Sequence, residues 1–163
     1  MKQREQSKQQ KLMSLKSMYY QRYLLIRYCI ACLFFTNLYW CIYLRNMYMI
    51  IPMFLCIGYV FSLMENITAL GKKHMHTKWT TFVLKLQLFA NICFIIIGWS
   101  PFANYLYPFL TVSYMSSFFI TCVCMMGIIL SYGCLHRLHN ISLNKDKHYQ
   151  RIKEYEKIIN LQL

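Results

Sequence analysis

Four stretches of the chain are apolar around the whole helical circumference rather than along one stripe. They run from Tyr28 to Leu44, from Met47 to Met64, from about Thr81 to Trp99 and from Phe109 to about Leu135. Each is close to the ~20 residues that carry a helix across a bilayer core, within a range of about 17 to 25. Backbone N–H and C=O groups in lipid must bond within the segment, and four spans are too few to close a barrel, so the pattern predicts helices. The expected fold is all-α: an integral membrane four-helix bundle of two hairpins, joined by a basic loop. Three regions follow from the polarity changes. Residues 1–22 form a basic polar segment, 23–135 the four-span domain, and 136–163 a basic amphipathic helix.

The two polar ends carry helical patterns of their own. Leu12, Leu15 and Tyr19 fall at helical spacing, which predicts a helix from about Lys11 running into the first span. Tyr149, Ile152, Tyr155, Ile159 and Leu163 share one face of the C-terminal segment, with Lys147, Arg151, Lys153 and Lys157 largely elsewhere. Such a helix suits the anionic inner leaflet of a membrane, where each base near the surface contributes about 1 kcal/mol. The same face also suits a partner protein.

Composition sharpens this picture. Of 163 residues 58% are apolar and 14% charged, against about 25% charged in ordinary soluble domains. Disordered chains are polar and poor in aromatics; this one has 14 Tyr and 11 Phe. Ala occurs four times, while residues with AT-rich codons dominate, as expected of a low-GC genome. The net charge of +13 is distributed with one sign of asymmetry. Every Lys and Arg except Arg45 lies before the first span, around the middle connection or after the fourth span. The positive-inside rule then places both termini and the middle loop in the cytoplasm of a multi-pass plasma-membrane protein. Trp40, Tyr43, Tyr48, Trp99, Phe102, Tyr105 and Tyr107 are expected at the outer interface. Tyr19, Tyr20, Tyr23, Tyr28 and Trp79 are expected at the inner one. The polar, basic start carries no signal-peptide pattern, so the first span is expected to remain as an anchor. Asn66-Ile67-Thr68 and Asn140-Ile141-Ser142 match the glycosylation acceptor pattern but face the cytoplasm on this topology.

Ionisable residues within spans are functional candidates by default. Arg27, Glu65, Lys85 and Arg137 all fall near the inner interface, and an ion pair from Glu65 to Arg27 or Lys85 would fix helix rotation. Deeper in the bilayer stand Asn37 and Asn91, whose side chains are placed to bridge helices at roughly 0.6 kcal/mol per bond. Ser113, Ser117 and Thr121, then Gly127 and Ser131, repeat every four residues, a stripe that lets helices approach closely.

Eight cysteines stand at 29, 32, 41, 56, 93, 122, 124 and 134. Cys29-Ile-Ala-Cys32 has redox or metal spacing. Four-span quinone-dependent disulfide oxidases share the topology, but their chemistry needs cysteine pairs in the outer loops, which lack them here. Packing thiols are the plainer reading. His74 and His76, with His136 and His139, offer a cytoplasmic zinc or copper site, or else solvated interfacial imidazoles. No haem ligand lies deep in a span. Small multidrug transporters place a Glu deep in the first span, where this chain has Asn37. Motifs for nucleotide binding, zinc hydrolysis, serine nucleophiles or nucleic-acid recognition are absent from the sequence. No cofactor is expected.

Arg22-Tyr-Leu-Leu-Ile-Arg27, followed by Phe34-Phe35-Thr-Asn37-Leu-Tyr-Trp40, resembles the first span of small four-span proteins of low-GC Gram-positive bacteria. That family has no defined function. Its occasional label as a cellobiose phosphotransferase subunit denotes a soluble phosphohistidine bundle, which a membrane-embedded chain does not match. The resemblance carries over no site residue. The sequence therefore points to a non-catalytic accessory subunit or regulator of a membrane complex. Its partners would be another membrane protein or a second copy, with lipid and without nucleic acid. A small oligomeric transporter or channel using Asn37, Asn91 and Glu65 is the alternative.

Overall fold

The computed structural model describes residues 2–44, 47–68, 77–100, 106–107 and 114–161, with side chains described for these except 2–8, 47 and 158–161. Five α-helices carry the fold: α1 (Lys2–Tyr43), α2 (Ile50–Thr68), α3 (Lys78–Gly98), α4 (Tyr114–Ser142) and α5 (Lys147–Leu161). Helices α1 to α4 are each long and apolar enough to cross a membrane. The chain is accordingly a multi-pass membrane protein by length and composition.

Helix α1 begins at Lys2, nine residues before the expected start, and is 42 residues long, about 63 Å at 1.5 Å per residue. Its Gln, Lys and Ser residues are tolerated in a helix, and no Gly or Pro interrupts the chain before Pro52. Pro52 falls in the first turn of α2, where its missing N–H removes no helical bond.

The four long helices form a ring. α1 packs on α2, α2 on α3, α3 on α4, and α4 returns to α1, while α5 lies against α1. We refer to the end carrying the α1–α2 and α3–α4 connections as the hairpin end, and the opposite one as the terminal end. Two apolar clusters fill the ring. Towards the terminal end Tyr23, Ile26 and Ile30 of α1 meet Tyr59 of α2, Leu84 of α3 and Leu138 of α4. Towards the hairpin end Phe94 of α3 meets Leu106, Tyr107, and Ile120 and Cys124 of α4.

Close approach between α3 and α4 depends on two glycines. A Cβ at Gly98 would sit 3.3 Å from Ile120 Cγ2, and one at Gly127 would sit 2.5 Å from Asn91 Nδ2. The expected small-residue stripe thus serves this pair: Ser131 is fully buried, and Thr121 accepts from Trp99 Nε1 at 3.0 Å. Ser113 lies outside the described residues.

The aromatic belt is thinner than expected. Trp99, Tyr28, Tyr43 and Trp79 are exposed, as interfacial rings should be. Trp40 instead turns inward, edge-on to Phe94 at 4.4 Å and stacked on Tyr107 at 5.6 Å. Tyr107, Tyr19 and Tyr23 are also buried. Aromatic rings bury large areas, and these positions face neighbouring elements, so they pack rather than anchor. Phe102 and Tyr105 lie outside the described residues.

Candidate functional site

Three buried polar layers interrupt the apolar interior. Mid-bundle, Gln87 is the hub. Its Oε1 accepts from Asn37 Nδ2 at 2.9 Å and from the Tyr59 hydroxyl at 3.2 Å. Its Nε2 donates to Asn91 Oδ1 at 3.0 Å. Asn37 and Asn91 are therefore brought together, but through Gln87 rather than directly. The layer ties α1, α2 and α3, since Asn37, Tyr59 and Gln87 come from one helix each. Its members are almost fully enclosed: Gln87 is 4% and Asn37 2% exposed.

The satisfaction of this layer is incomplete in a specific way. Asn37 Nδ2 donates to both Leu33 O at 2.7 Å and Gln87 Oε1, which uses both amide hydrogens. Among the described residues no donor reaches its Oδ1. Among the described residues Asn91 Nδ2 is buried without a partner, in the space a side chain at position 127 would need, and Ser131 Oγ on α4 is also without one. In native proteins such groups are few and each calls for a physical reason.

A cavity of about 270 Å³ adjoins this layer on its hairpin side. Asn37 and Trp40 of α1, Gln87 and Asn91 of α3, and Val123 and Cys124 of α4 are among its walls. Its amides form a floor, aromatic and aliphatic side chains form most of the rest together with Thr36, and no charged residue lines it among the described residues. Tyr39 and Tyr43 of α1 and Phe119 and Val123 of α4 also line it, and all four are exposed on the flank of the bundle. The cavity therefore opens sideways between α1 and α4.

The second layer joins α2 to α3 near the terminal end. Ser62 Oγ donates to Thr80 Oγ1 at 2.9 Å, and Asn66 Nδ2 donates to the same oxygen at 3.0 Å. Glu65 was expected to pair with Arg27 or Lys85. It instead accepts from the Thr80 N–H at 3.0 Å and the Thr80 hydroxyl at 2.9 Å, with the Trp79 N–H at 3.4 Å. The first N–H groups of a helix lack internal partners and carry partial positive charge, so a carboxylate from α2 serves as the cap that α3 lacks. Thr77 makes no side-chain cap bond there. Arg27 serves the opposite terminus, donating from Nη2 to Asn66 O at 2.9 Å in the last turn of α2 and lying 4.5 Å over the Tyr20 ring. Lys85 is exposed on α3 and Arg137 half-buried on α4; neither joins this layer. Glu65→Ala is expected to cost about 1 kcal/mol, as loss of a cap does, and to speed hydrogen exchange at the Trp79 and Thr80 amides about fivefold.

The third layer was missed in the sequence. Arg22, 1% exposed, grips the corner between α4 and α5. Its Nε donates to Asp146 Oδ2 at 2.8 Å, and its Nη2 to Asp146 Oδ1, to Ile141 O at 3.0 Å and to Asn144 Oδ1 at 3.1 Å. The corner itself follows from local rules. Asn144 adopts a left-handed φ of 54°, which Asn tolerates better than most residues. Lys145 N–H returns to Asn140 O at 3.1 Å and Asn144 N–H to Ile141 O at 3.0 Å, a Schellman closure of α4. Asp146 then opens α5, its carbonyl accepting from the Tyr149 N–H at 3.0 Å. Tyr149 lies 5.0 Å from the Arg22 guanidinium, Ile152 is fully buried, and Tyr19 donates to Glu156 at 3.1 Å. Part of the α5 apolar face is thus covered by α1; the Ile159 and Leu163 side chains lie outside the described set.

The remaining candidates are not assembled. All eight cysteines are free thiols; Cys32 is exposed and Cys29 packs beside the core that holds Cys134. Among the described residues no three His, Cys, Asp or Glu groups converge as metal ligands. His136 shares a 3.1 Å hydrogen bond with Asn140, and His74 and His76 lie outside the described residues. Asn66 is fully buried, which removes it as a glycosylation acceptor in the folded state. No family model, curated protein or solved structure matches the chain.

Proposed function

We propose that this protein is a non-catalytic accessory subunit or regulator of a membrane complex, resident in the plasma membrane of a low-GC bacterium with both termini and the middle loop in the cytoplasm. The observation that carries the reading is how the buried polar groups are used. Glu65, Arg27 and Arg22 hold helix ends together, and Gln87, Asn37 and Asn91 hold helices to one another. No acid, base and nucleophile converge among the described residues, so acid–base chemistry has no constellation to work with. The terminal end presents exposed bases on α5, Lys147, Arg151, Lys153 and Lys157, beside the cytoplasmic part of α1. That surface suits anionic lipid headgroups or an acidic face on a partner.

The alternative of a small oligomeric transporter or channel draws on the cavity between α1 and α4. It is the weaker reading because Glu65 stands apart from Asn37 and Asn91, which Gln87 links. Glu65 is engaged at Thr80, about 10 Å along α3 from Gln87.

Extraction of the tagged protein in mild detergent, followed by native mass measurement and elemental analysis, tests the proposal. One stoichiometric protein partner and no metal is the expected result. A metal-free homo-oligomer without a partner would overturn it and promote transport.

A further inference from the structure

We infer that the lateral cavity between α1 and α4 is a binding site for an uncharged lipid that ends in a hydroxyl group, a long-chain or prenyl primary alcohol. The inference goes beyond the accessory role and does not depend on it. Four observations converge. The cavity measures about 270 Å³, well above the roughly 150 Å³ apolar cavity that holds a benzene molecule. Its mouth lies between Tyr39 and Tyr43 on one side and Phe119 and Val123 on the other, on the flank of spanning helices, so entry is lateral from the bilayer, just inside the interfacial level that Tyr43 marks. Among the described residues its lining carries no charged side chain, which disfavours a phosphate or carboxylate headgroup, because a charge desolvated there without a partner is too costly. Its floor holds an acceptor that no donor reaches among the described residues, Asn37 Oδ1 on a side chain 2% exposed whose two N–H groups are already used, beside the unpartnered donor Asn91 Nδ2.

An acceptor at the end of an apolar passage selects a donor. Alkane carbon has none, and an ester or ether oxygen offers none. A hydroxyl supplies one O–H and has only a short carbon stem to bring past Trp40 and Phe94. The aliphatic chain then trails out through the mouth into the bilayer. The geometry thus orders the ligand head-inward, the reverse of a lipid tail inserted into a greasy pocket. The Tyr59 hydroxyl, held on Gln87 Oε1, and Gln87 Nε2, held on Asn91, keep the floor amides oriented so that the Asn37 carbonyl is left to accept from a ligand.

The test uses the full chain in phosphatidylcholine vesicles with hexadecanol bearing a photoreactive diazirine near its hydroxyl end. Labelling is expected to saturate and to map to α1 and α4 peptides containing Thr36, Trp40 and Val123. Plain hexadecanol should compete about tenfold better than hexadecyl methyl ether, as one hydrogen bond in a desolvated site implies. Val123→Trp, at an exposed rim position that leaves the core intact, should reduce labelling about tenfold. Labelling that rises without saturation and spreads to Phe54, Phe61 and Ile96 elsewhere on the surface would overturn the site. Equal competition by the ether would overturn the hydroxyl assignment, and undiminished labelling of the Val123→Trp protein would overturn the entry route.

Discussion

Arg22→Ala is expected to release α5 from α1 and to cost about 3–5 kcal/mol, the range for removing one partner of a buried ion pair. The size follows from what the guanidinium serves. It neutralises Asp146, satisfies the Ile141 carbonyl at the end of α4 and holds the Asn144 side chain in the turn. Truncation removes that donor from the Asp146 carboxylate and the Asn144 amide oxygen, while the Ile141 carbonyl keeps the Asn144 N–H, and among the described side chains of the 15-residue helix only Ile152, Tyr149 and Glu156 remain against α1. Helices of that length are marginal in isolation, so the undocked segment should fray. Trypsin reports this directly, because Lys147, Arg151, Lys153 and Lys157 all lie in α5. Cleavage there should accelerate strongly in the variant while the spans stay protected. Arg22→Lys should fall between, since an ammonium cannot reproduce the planar fork. Asp146→Asn should also fall between, since Asn can still begin the helix and only the charge is lost. An unchanged cleavage pattern for Arg22→Ala would show that α5 is held by something other than this corner.

How much of this was visible in the sequence depends on the layer. The spans were legible because membrane helices must be apolar around their whole circumference, and no alternative element satisfies that pattern. The proximity of Asn37 and Asn91 was legible because isolated amides in such helices seek one another. Gln87 is not legible from polarity alone, although it lies on the stripe Thr80, Leu84, Gln87, Asn91, Phe94, Gly98, which advances by four and three residues along one face of α3. A polar residue on an otherwise packed face is the signal, and the tolerance of helices for Gln hides it. Arg22 reads in the sequence as one base among many in a strongly basic segment. Its position on the stripe Tyr19, Arg22, Ile26, Ile30, Leu33 marks it as inward-facing, but a distant acid is needed to make that affordable, and Asp146 lies 124 positions away. Glu65 was assigned a basic partner from depth alone. Depth does not reveal that the first turn of α3, with its uncapped N–H groups, stands closer than either base.

Gln87→Leu is the variant expected to weaken the spanning bundle most. The substitution nearly preserves volume, so the effect isolates hydrogen bonding. Removal of the amide strips Asn37 Nδ2 of one acceptor, the Tyr59 hydroxyl of its acceptor and Asn91 Oδ1 of its donor. Orphaned buried groups cost about 1–3 kcal/mol each in soluble proteins, whereas side-chain bonds between membrane helices average about 0.6 kcal/mol. Three orphans at intermediate values give about 2–4 kcal/mol. Asn91→Ala separates this from a general sensitivity of the mid-bundle. It removes one hydrogen bond, but it also removes the unpartnered Nδ2. These opposing terms should leave a loss near 1 kcal/mol or below. Thermal unfolding of the two variants in the same mild detergent distinguishes the cases. A much lower midpoint for Gln87→Leu than for Asn91→Ala places the coupling of α1, α2 and α3 in the Gln87 amide. Equal midpoints would mean that the apolar clusters on either side, Tyr23 to Leu138 and Phe94 to Cys124, hold the ring without it. The layer's remaining physical consequence would then be the orientation of Asn37 towards the cavity, and Gln87→Leu would lower alcohol binding without lowering stability.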